Sequence, residues 1–362
     1  MEVLVTTRAN VWAGRRVFIT GHTGFKGAWL ALWLTMRGAE VTGYALDPPS
    51  EPSLFDQARV GETVRHVHGD VTDAAHLAQA LGEAAPEIVF HLAAQSLVRR
   101  SYERPIETFA ANVMGTAQLL DSCREVPSLR AIVCVTSDKC YENREWVWPY
   151  RESDPMGGHD PYSASKGAAE LVIASWRRSY YHAAGTPLIA SVRAGNVIGG
   201  GDWAADRLVP DIVRALGAGA RPFIRNPRAV RPWQHVLDAL GGYLVVAERL
   251  LAGDVTAADA WNFGPADEDV RSVGWVADRL IAGWGADGWD TGDTAQGHEA
   301  NVLKLDCSKA RDSLGWRPTL ALGAALGNTI EWYKSVGNGA DVKQMCLEEI
   351  ANFEMLAEGI GA

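Results

Sequence analysis

Apolar residues in the first half of the chain fall in short runs, separated by longer stretches of helical periodicity and punctuated by glycine and proline. The β-branched and aromatic run Arg16–Thr20 (RVFIT) predicts a strand, a glycine-containing turn follows, and the apolar Ala28–Leu34 segment predicts a buried helix. A second strand is expected at Glu40–Leu46 (EVTGYAL), ended by Pro48, Pro49 and Pro52, with others at Glu87–Leu92 (EIVFHL) and Ala131–Thr136 (AIVCVT). Helical stretches such as His76–Leu81 and Val113–Cys123 lie between them. The alternation predicts an α/β protein with a Rossmann-type, doubly wound parallel sheet covered on both faces.

After about Gly195 the rhythm changes: a glycine run at Gly199–Gly201, proline-rich turns across Arg221–Pro232 and a Gly/Asp/Trp loop around Gly283–Gly297 predict a smaller mixed α/β C-terminal unit. Trp261–Pro265 (WNFGP) again reads as strand and turn, so the chain is expected to cross back. The expected division is residues 1–195 with a returning segment near 236–265 as one domain, and 196–235 with 266–362 as the other. No solenoid-type repeat or low-complexity tract interrupts this reading.

Composition narrows the function. With 362 residues, 47% of them hydrophobic, the chain is long enough for one large core or two smaller ones. Lys+Arg 34 against Asp+Glu 44 gives a net charge of −10, which argues against a broad nucleic-acid surface but leaves room for a local basic pocket that holds a diphosphate. Cys123, Cys134, Cys140, Cys307 and Cys346 are odd in number and lack metal-site or redox-motif spacing, so reduced thiols and no bound metal are expected. The segment MEVLVTTRANVWAGRR lacks a secretion signal's apolar stretch, and no segment is long enough to span a bilayer. A soluble cytoplasmic protein with no membrane partner is the expectation.

Directly after the first strand stand Gly21, His22, Thr23, Gly24, Phe25, Lys26 and Gly27, with glycines spaced Gly-x-x-Gly-x-x-Gly. The first glycine permits a tight turn, the second lets backbone approach a pyrophosphate, and the third lets helix pack on strand while its N-terminus faces the anion. Asp47, after the second strand, is placed to accept from the adenosine ribose and repel a 2′-phosphate, favouring NAD over NADP; a plain turn aspartate ahead of two prolines is the alternative. Asp70, beside Val71 and after a third strand, is a second carboxylate suited to the adenine amino group.

Tyr162 and Lys166 lie four residues apart, on one face of a helix. Lowering a phenol's pKa by roughly three units takes about 4 kcal/mol, and one cation at about 4 Å supplies about that at an effective dielectric near 20. Lys166, helped by the positive nicotinamide ring, is therefore expected to ionise Tyr162. The strand Ala131–Val135 ends in Thr136, Ser137, Asp138 and Lys139, and strand C-termini in such sheets face the ligand crevice. Ser137 is suited to hold the hydroxyl that is oxidised. Asp138 and Lys139 add an acid and a base, more than simple hydride transfer requires.

The segments GHTGFKG (Gly21–Gly27), HLAAQSLVR (His91–Arg99), TSDKCY (Thr136–Tyr141), DPYSASK (Asp160–Lys166), RAGNVIGGGDW (Arg193–Trp203) and RPWQHV (Arg231–Val236) carry a further signal. With them the chain resembles the extended short-chain dehydrogenase/reductase superfamily and, within it, the CDP-glucose branch of the nucleotide-sugar 4,6-dehydratases. The resemblance implies tightly bound NAD, with Val71, Leu92, Ala93 and Ala94 joining the cofactor contacts. Tyr162 would take the C4 hydroxyl proton as hydride leaves C4, a base would remove the C5 proton while Asp138 protonates the departing C6 hydroxyl, and hydride would return to C6. Lys139 stands where the broader family carries Glu, so it is either the C5 base or, still protonated, a stabiliser of the enolate. Lys26, where many relatives are aliphatic, fits the same branch.

For a nucleotide-sugar substrate the resemblance points to Asn196, Arg207, Arg231 and His235 at the diphosphate and to Gln95, Ser96 and Arg99 at the sugar. His235 in a packed role and Ser96 as a helix cap are the plainer readings. A homodimer formed through the helices near Val113–Cys123 and Ala164–Tyr180 is expected. Two rivals stay open: a 4-epimerase, which shares Tyr162 and Lys166 but has no use for Asp138 and Lys139, and a non-catalytic NAD-binding sensor on the same fold.

Overall fold

The computed structural model describes residues 10–292 and 302–360, so the first residues read for a secretion signal and the end of the Gly283–Gly297 loop lie outside it. The described strands are β1 Arg16–Thr20, β2 Glu40–Ala45, β3 Arg65–His68, β4 Ile88–His91, β5 Ala131–Val135, β6 Leu188–Ala194, β7 Asn196–Ile198, β8 Val230–His235, β9 Ala260–Phe263 and β10 Val270–Ser272. Seven of them form one parallel sheet in the order β3-β2-β1-β4-β5-β6-β9, while β7, β8 and β10 form a small mixed sheet. This is a Rossmann-type sheet. Its order runs outward from β1 to β3 and restarts on the other side at β4, so the crevice at the carboxyl ends of β1 and β4 is the topological switch point, where ligands bind in such folds.

Side chains alternate across the strands and feed two cores. Val17 and Ile19 of β1, with Phe90 and Val133, join Trp12, Trp29 and Trp33 and the Val236–Leu251 helix on one face. Phe18, Val89 and Ile132 face the other way and meet Leu77, Leu81, Leu119, Leu120 and Ile173. Because both faces are covered, β4 and β5 are buried along their whole length, which is why they read as unbroken apolar runs. The crossing back expected near Trp261 occurs at β9, which pairs in parallel with β6 from Ser191↔Ala260 to Ala194↔Phe263.

Two strands were hard to see in the pattern. β3 (RHVH) is an edge strand with exposed side chains, and β6 (LIASVRA) carries a buried Ser191 and Arg193 that break its apolar run. The expected helix Val113–Cys123 begins in a π-turn, Ala110–Met114, before the regular Gly115–Ser122 helix; such turns often mark functional positions. Among the described residues no helix is long and apolar enough to cross a membrane.

At the end of β4, His91 is buried with its Nδ1 2.7 Å from Thr20 Oγ1 and its Nε2 3.0 Å from Thr116 Oγ1. Burial first, then the Lys166 charge, push its pKa down to about 3. The unfolded chain therefore binds a proton below the ordinary histidine pKa that the folded chain refuses, so this contribution is whole above about pH 6.5 and drains away as pH falls toward 3. His91→Gln removes that proton. Urea midpoints taken from pH 6.5 to 5 should show the variant's stability falling less steeply, by about 1.4 kcal/mol per pH unit; parallel slopes would contradict the assignment.

Candidate active site

The glycine turn between β1 and the Phe25–Met36 helix is shaped by three different demands. Gly21 has φ +77°, and a Cβ there would come 2.7 Å from the Ala93 nitrogen. A Cβ on Gly27 would lie 2.2 Å from the Gly21 carbonyl oxygen, so helix and turn touch backbone to backbone. At Gly24 the nearest atom to a Cβ would be 3.5 Å away, an ordinary contact. Among the described residues nothing demands glycine at that position, and its bare backbone is open to close approach by a ligand. Gly24 caps the helix with no side-chain hydrogen bond and no acidic residue stands in the first turn, which leaves the amino-terminal N–H groups to an anion. These features fit a dinucleotide pyrophosphate.

The other residues expected at the cofactor divide. Thr23 ties the turn to the end of β2 through Oγ1, 2.9 Å from the Leu46 carbonyl, and the Leu92 and Ala93 N–H groups donate to Thr20 Oγ1 at 3.2 Å, fixing the β4 end on which Ala94 follows. Asp47 is fully out in solvent, with Oδ1 3.6 Å from His68 Nε2. Asp70 spends Oδ1 on its own turn, accepting from Thr72 N at 2.8 Å, and the neighbouring Val71 side chain packs over Gly115. The His22 ring turns sideways to His66, Nε2 to Nδ1 2.7 Å, and burial followed by His66 lowers its pKa to about 3. Its ring serves packing, and only its backbone belongs to the turn. Phe25 and Lys26 begin the helix, and the Lys26 ammonium reaches over the Tyr243 ring, 5.9 Å from its centroid.

The carboxyl end of β5 continues into a short turn bearing Asp138 and Lys139, and the Pro161–Ser179 helix starts opposite it. Asp160 caps that helix, accepting from Ser163 N at 2.9 Å, which fixes the first turns that carry Tyr162 and Lys166. Ser137 Oγ is within hydrogen-bonding reach of the Tyr162 phenol and donates to Asp138 Oδ1 at 3.0 Å. All four side chains Ser137, Asp138, Tyr162 and Lys166 are buried, and Lys139 is half-buried.

Burial overturns the simple Coulomb expectation for Tyr162. Loss of water is the largest influence on its phenol, which stands at about 12; the interaction with Ser137 opposes the rise and the Asp138 charge adds to it, and Lys166 is not among the groups that act on it most strongly. Lys166 Nζ instead points to the Val135 carbonyl at 3.5 Å, and burial lowers its pKa to about 8. Removal from water therefore outweighs the attraction expected of the cation.

Asp138 is the clearest acid. Burial raises its carboxyl against the pull of Lys139, Ser137, Arg231 and Lys26. Oδ2 has no partner, and Gly195 leaves it room, since a Cβ there would come 3.2 Å from that oxygen. The Tyr243 hydroxyl, fully buried nearby, is also unpartnered and feels the Asp138 charge. Two orphaned polar atoms near each other fit a site for a polar ligand. Lys26 belongs to it as well, its ammonium lowered to about 7 by burial and then by Arg207 and Lys166.

Of the substrate residues expected from sequence, the rim is assembled from both sides of the crevice. Arg207 donates to Ser96 Oγ at 3.2 Å and pairs with Asp202 at 3.0 Å, and Arg99 pairs with Asp206 at 2.8 Å. Asn196 on β7 sits beside Trp233 of β8, and buried Arg231 extends its charge to Asp138. Two of these residues also have partners within the fold. Gln95 is consumed internally: its amide donates to Leu97 O and Thr108 Oγ1 and accepts from Leu97 N, so it shapes the loop. His235 is fully buried, caps the Val236–Leu251 helix and faces Glu349 of the carboxyl-terminal helix at 3.1 Å, so it is a packed histidine.

Sequence reasoning missed Asn112, whose amide nitrogen donates to Gln95 O at 3.0 Å and Ser165 Oγ at 2.8 Å and so joins the β4 loop to the catalytic helix. It missed Tyr243, Glu170 and Arg193 too. No motif spacing exposes them, because their roles arise from contacts between distant segments. The glycine geometry is testable by separating stability from affinity. Gly27→Ala should destabilise the fold by more than about 3 kcal/mol, whereas Gly24→Ala should shift stability by less than about 1 kcal/mol yet weaken NAD binding about tenfold or more. Calorimetry and urea unfolding on the same samples check both; a Gly24→Ala protein with unchanged NAD affinity would remove the pyrophosphate from this turn.

Comparison with known proteins points the same way. The family described as GDP-mannose 4,6 dehydratase matches residues 18–328. A CDP-glucose 4,6-dehydratase from Salmonella typhimurium is 52% identical over 349 residues, 95% of this chain and 97% of the relative. A dTDP-glucose 4,6-dehydratase from Streptomyces antibioticus is 30% identical over 88% of this chain and 92% of its own length. A crystal structure of a dTDP-glucose 4,6-dehydratase from Streptomyces venezuelae with NAD bound superposes with a TM-score of 0.76 at 26% identity, covering 88% of this chain and 97% of that one. With its glycine turn, its Tyr162 and Lys166 helix and its acid at the end of β5, the chain belongs to the GDP-mannose 4,6 dehydratase family of the extended short-chain dehydrogenase/reductases.

Proposed function

We propose that this chain converts CDP-glucose to CDP-4-keto-6-deoxyglucose with NAD as its resident cofactor. The observation that carries the reading is Asp138: a carboxyl whose pKa burial raises, one oxygen held by Ser137 and the other free to face a leaving hydroxyl. A 4-epimerase needs no such acid. The extent of identity to the Salmonella typhimurium CDP-glucose 4,6-dehydratase supports the choice of nucleotide.

Gly21–Gly27 would hold the pyrophosphate, Asp47 the adenosine ribose and Lys166 the nicotinamide ribose. NAD, when bound, supplies the acceptor for the electron pair leaving C4 and the donor that returns it to C6. Ser137 orients the C4 hydroxyl and Tyr162 accepts its proton. Since that phenol stands near 12 with Ser137 already acting on it, its ionisation depends on the positive charge that the cofactor would add. Asp138 Oδ2 then protonates the C6 hydroxyl. Lys139, beside it, takes the C5 proton. Asn196, Arg207 and Arg231 meet the diphosphate, with Ser96 and Arg99 at the rim of the sugar pocket. Residues 196–235 and 266–362 supply most of the nucleotide-sugar side and residues 1–195 the cofactor side.

The same reading includes a cytoplasmic homodimer. Exposed Ile106, Phe109 and Met114 on one helical stretch and Leu171 and Tyr180 on or just past the Pro161–Ser179 helix suit a helix-bundle interface, and all five cysteines are unpaired. Sedimentation should give twice the mass of one chain, and Ile106→Lys with Met114→Lys should halve it.

Incubation with CDP-, dTDP-, UDP- and GDP-glucose should yield a product lighter by one water from the cytidine substrate first. An unchanged mass with inverted C4 would instead make the protein an epimerase, and no turnover despite bound NAD would make it a sensor. Tyr162→Phe should lower kcat by about 10²-fold to 10⁴-fold, and deuterium placed at C4 should reappear at C6. Lys139→Met should abolish solvent deuterium entry at C5; unimpaired exchange would leave Lys139 the enolate stabiliser.

A further inference from the structure

Glu170 follows Lys166 by one helical turn and lies on the same face of the Pro161–Ser179 helix. It is buried, 4% exposed. Oε1 accepts from Thr136 Oγ1, at the end of β5 and one residue before Ser137. Oε2 accepts from Ser191 Oγ at 2.9 Å and from Arg193 Nη2 at 2.7 Å, both on β6. Arg193 continues the chain of contacts: Nη1 donates to the Tyr141 hydroxyl at 2.7 Å, and that hydroxyl donates to Asn262 Oδ1 of β9 at 2.7 Å. One carboxylate therefore joins the catalytic helix, the strand end that bears Ser137 and Asp138, and the two strands beyond it.

The charge matters as much as the hydrogen bonds. Burial alone would raise the Glu170 carboxyl, but Arg193, Thr136 and Ser191 together hold it below its ordinary value, so it is an anion. Around Lys166 the ionisable groups are Glu170 on its own helix, Cys134 on β5, Cys140 after β5, His91 on β4 and Lys26 on the glycine-turn helix. Burial keeps the two thiols protonated and His91 neutral, and Lys26 repels. Facing Glu170 are Arg193, Arg177 and the same two thiols. Among these groups Glu170 is the anion that supports Lys166.

We propose that Glu170 is a positioning residue for the reaction: its buried carboxylate keeps the Lys166 ammonium charged and clamps the Thr136–Asp138 strand end to the helix that carries Tyr162. The proposal rests on the dehydratase reading for its turnover measurement, and on NAD binding alone for a second one. It also explains why a buried Arg193 is retained in β6, where an apolar residue would pack without desolvation. The arginine holds Glu170 ionised, and through Tyr141 and Asn262 it anchors the loop after Lys139.

The test compares Glu170→Gln, which removes the charge at constant shape, with Glu170→Asp, which keeps the charge and shortens the reach. Thr136→Val removes one tether and no charge. The pH profile of kcat/KM with CDP-glucose, and NAD affinity over the same range, are measured for each. Glu170→Gln should move the basic limb down by about one pH unit, so that the loss against the unaltered protein is about fivefold at pH 8 and much smaller at pH 6.5; NAD affinity should lose its high-pH end in parallel. Glu170→Asp should leave the limb in place, whatever its Tm, and Thr136→Val should lower kcat with the limb unmoved.

If Glu170→Gln is too unstable because Arg193 is stranded, Glu170→Gln with Arg193→Gln carries the same comparison. A Gln variant whose limb and NAD profile match those of the unaltered protein overturns the proposal, as does an Asp variant shifted as far as the Gln one. Absence of turnover in the unaltered protein would sink the dehydratase reading instead, and the NAD profile would then decide this one.

Discussion

Burial of charge at the carboxyl ends of β4, β5 and β6 is the constraint on which the rest of the structure depends. Four titratable side chains, Lys26, Asp138, Tyr162 and Lys166, are drawn from three distant segments into a space that water leaves almost entirely, and each responds in the direction that desolvation dictates. The carboxyl and the phenol rise, and the two ammonium groups fall. A surface cluster of the same residues would keep ordinary values and do little chemistry. The cost of removing these groups from water is met in the fold around them: an apolar sheet covered on both faces, and a second ring of polar groups in which Glu170, Arg193, Thr136 and Asn112 hold the first ring in place.

The sheet supplies the geometry because parallel strands all end on the same side. β1 delivers the glycine turn, β4 the loop of Ala93 to Arg99, β5 the Ser137–Lys139 turn and β6 the Gly195 that makes room for Asp138. The small sheet of β7, β8 and β10 brings Asn196 and Arg231 to the other wall, and Arg207 reaches back across to Ser96. Acid, hydroxyl, phenol and ammonium thus converge from separate strands and helices. Their mutual placement follows from strand order, with no element bearing more than two or three of them.

Much of this was legible in the amino-acid order. Short apolar runs located β1, β2, β4 and β5 because strands buried on both faces carry few polar residues, and the glycine spacing located the tight turn after β1 because close backbone contact at Gly21 and Gly27 tolerates no side chain. The pairing of Tyr162 with Lys166 was visible because helical geometry puts residues four apart on one face. The family resemblance then named the chemistry. β3 and β6 were indistinct for a matching reason: an edge strand faces water, and a strand that bears Ser191 and Arg193 hides its burial behind a polar network that pays for it.

What only the tertiary structure decided is how each side chain is spent. The family resemblance points to Gln95 and His235 at the substrate; the fold also gives Gln95 partners in Leu97 and Thr108 and sets His235 against Glu349, more than a hundred residues on. Sequence gave Lys166 the task of ionising Tyr162 from charge and spacing, whereas the fold adds a desolvation term that no local pattern contains. Local order fixes which groups are available, since backbone periodicity and glycine tolerance act over a few residues. Exposure, pairing and protonation state are set by neighbours a hundred residues away, and those exist only once the chain has folded.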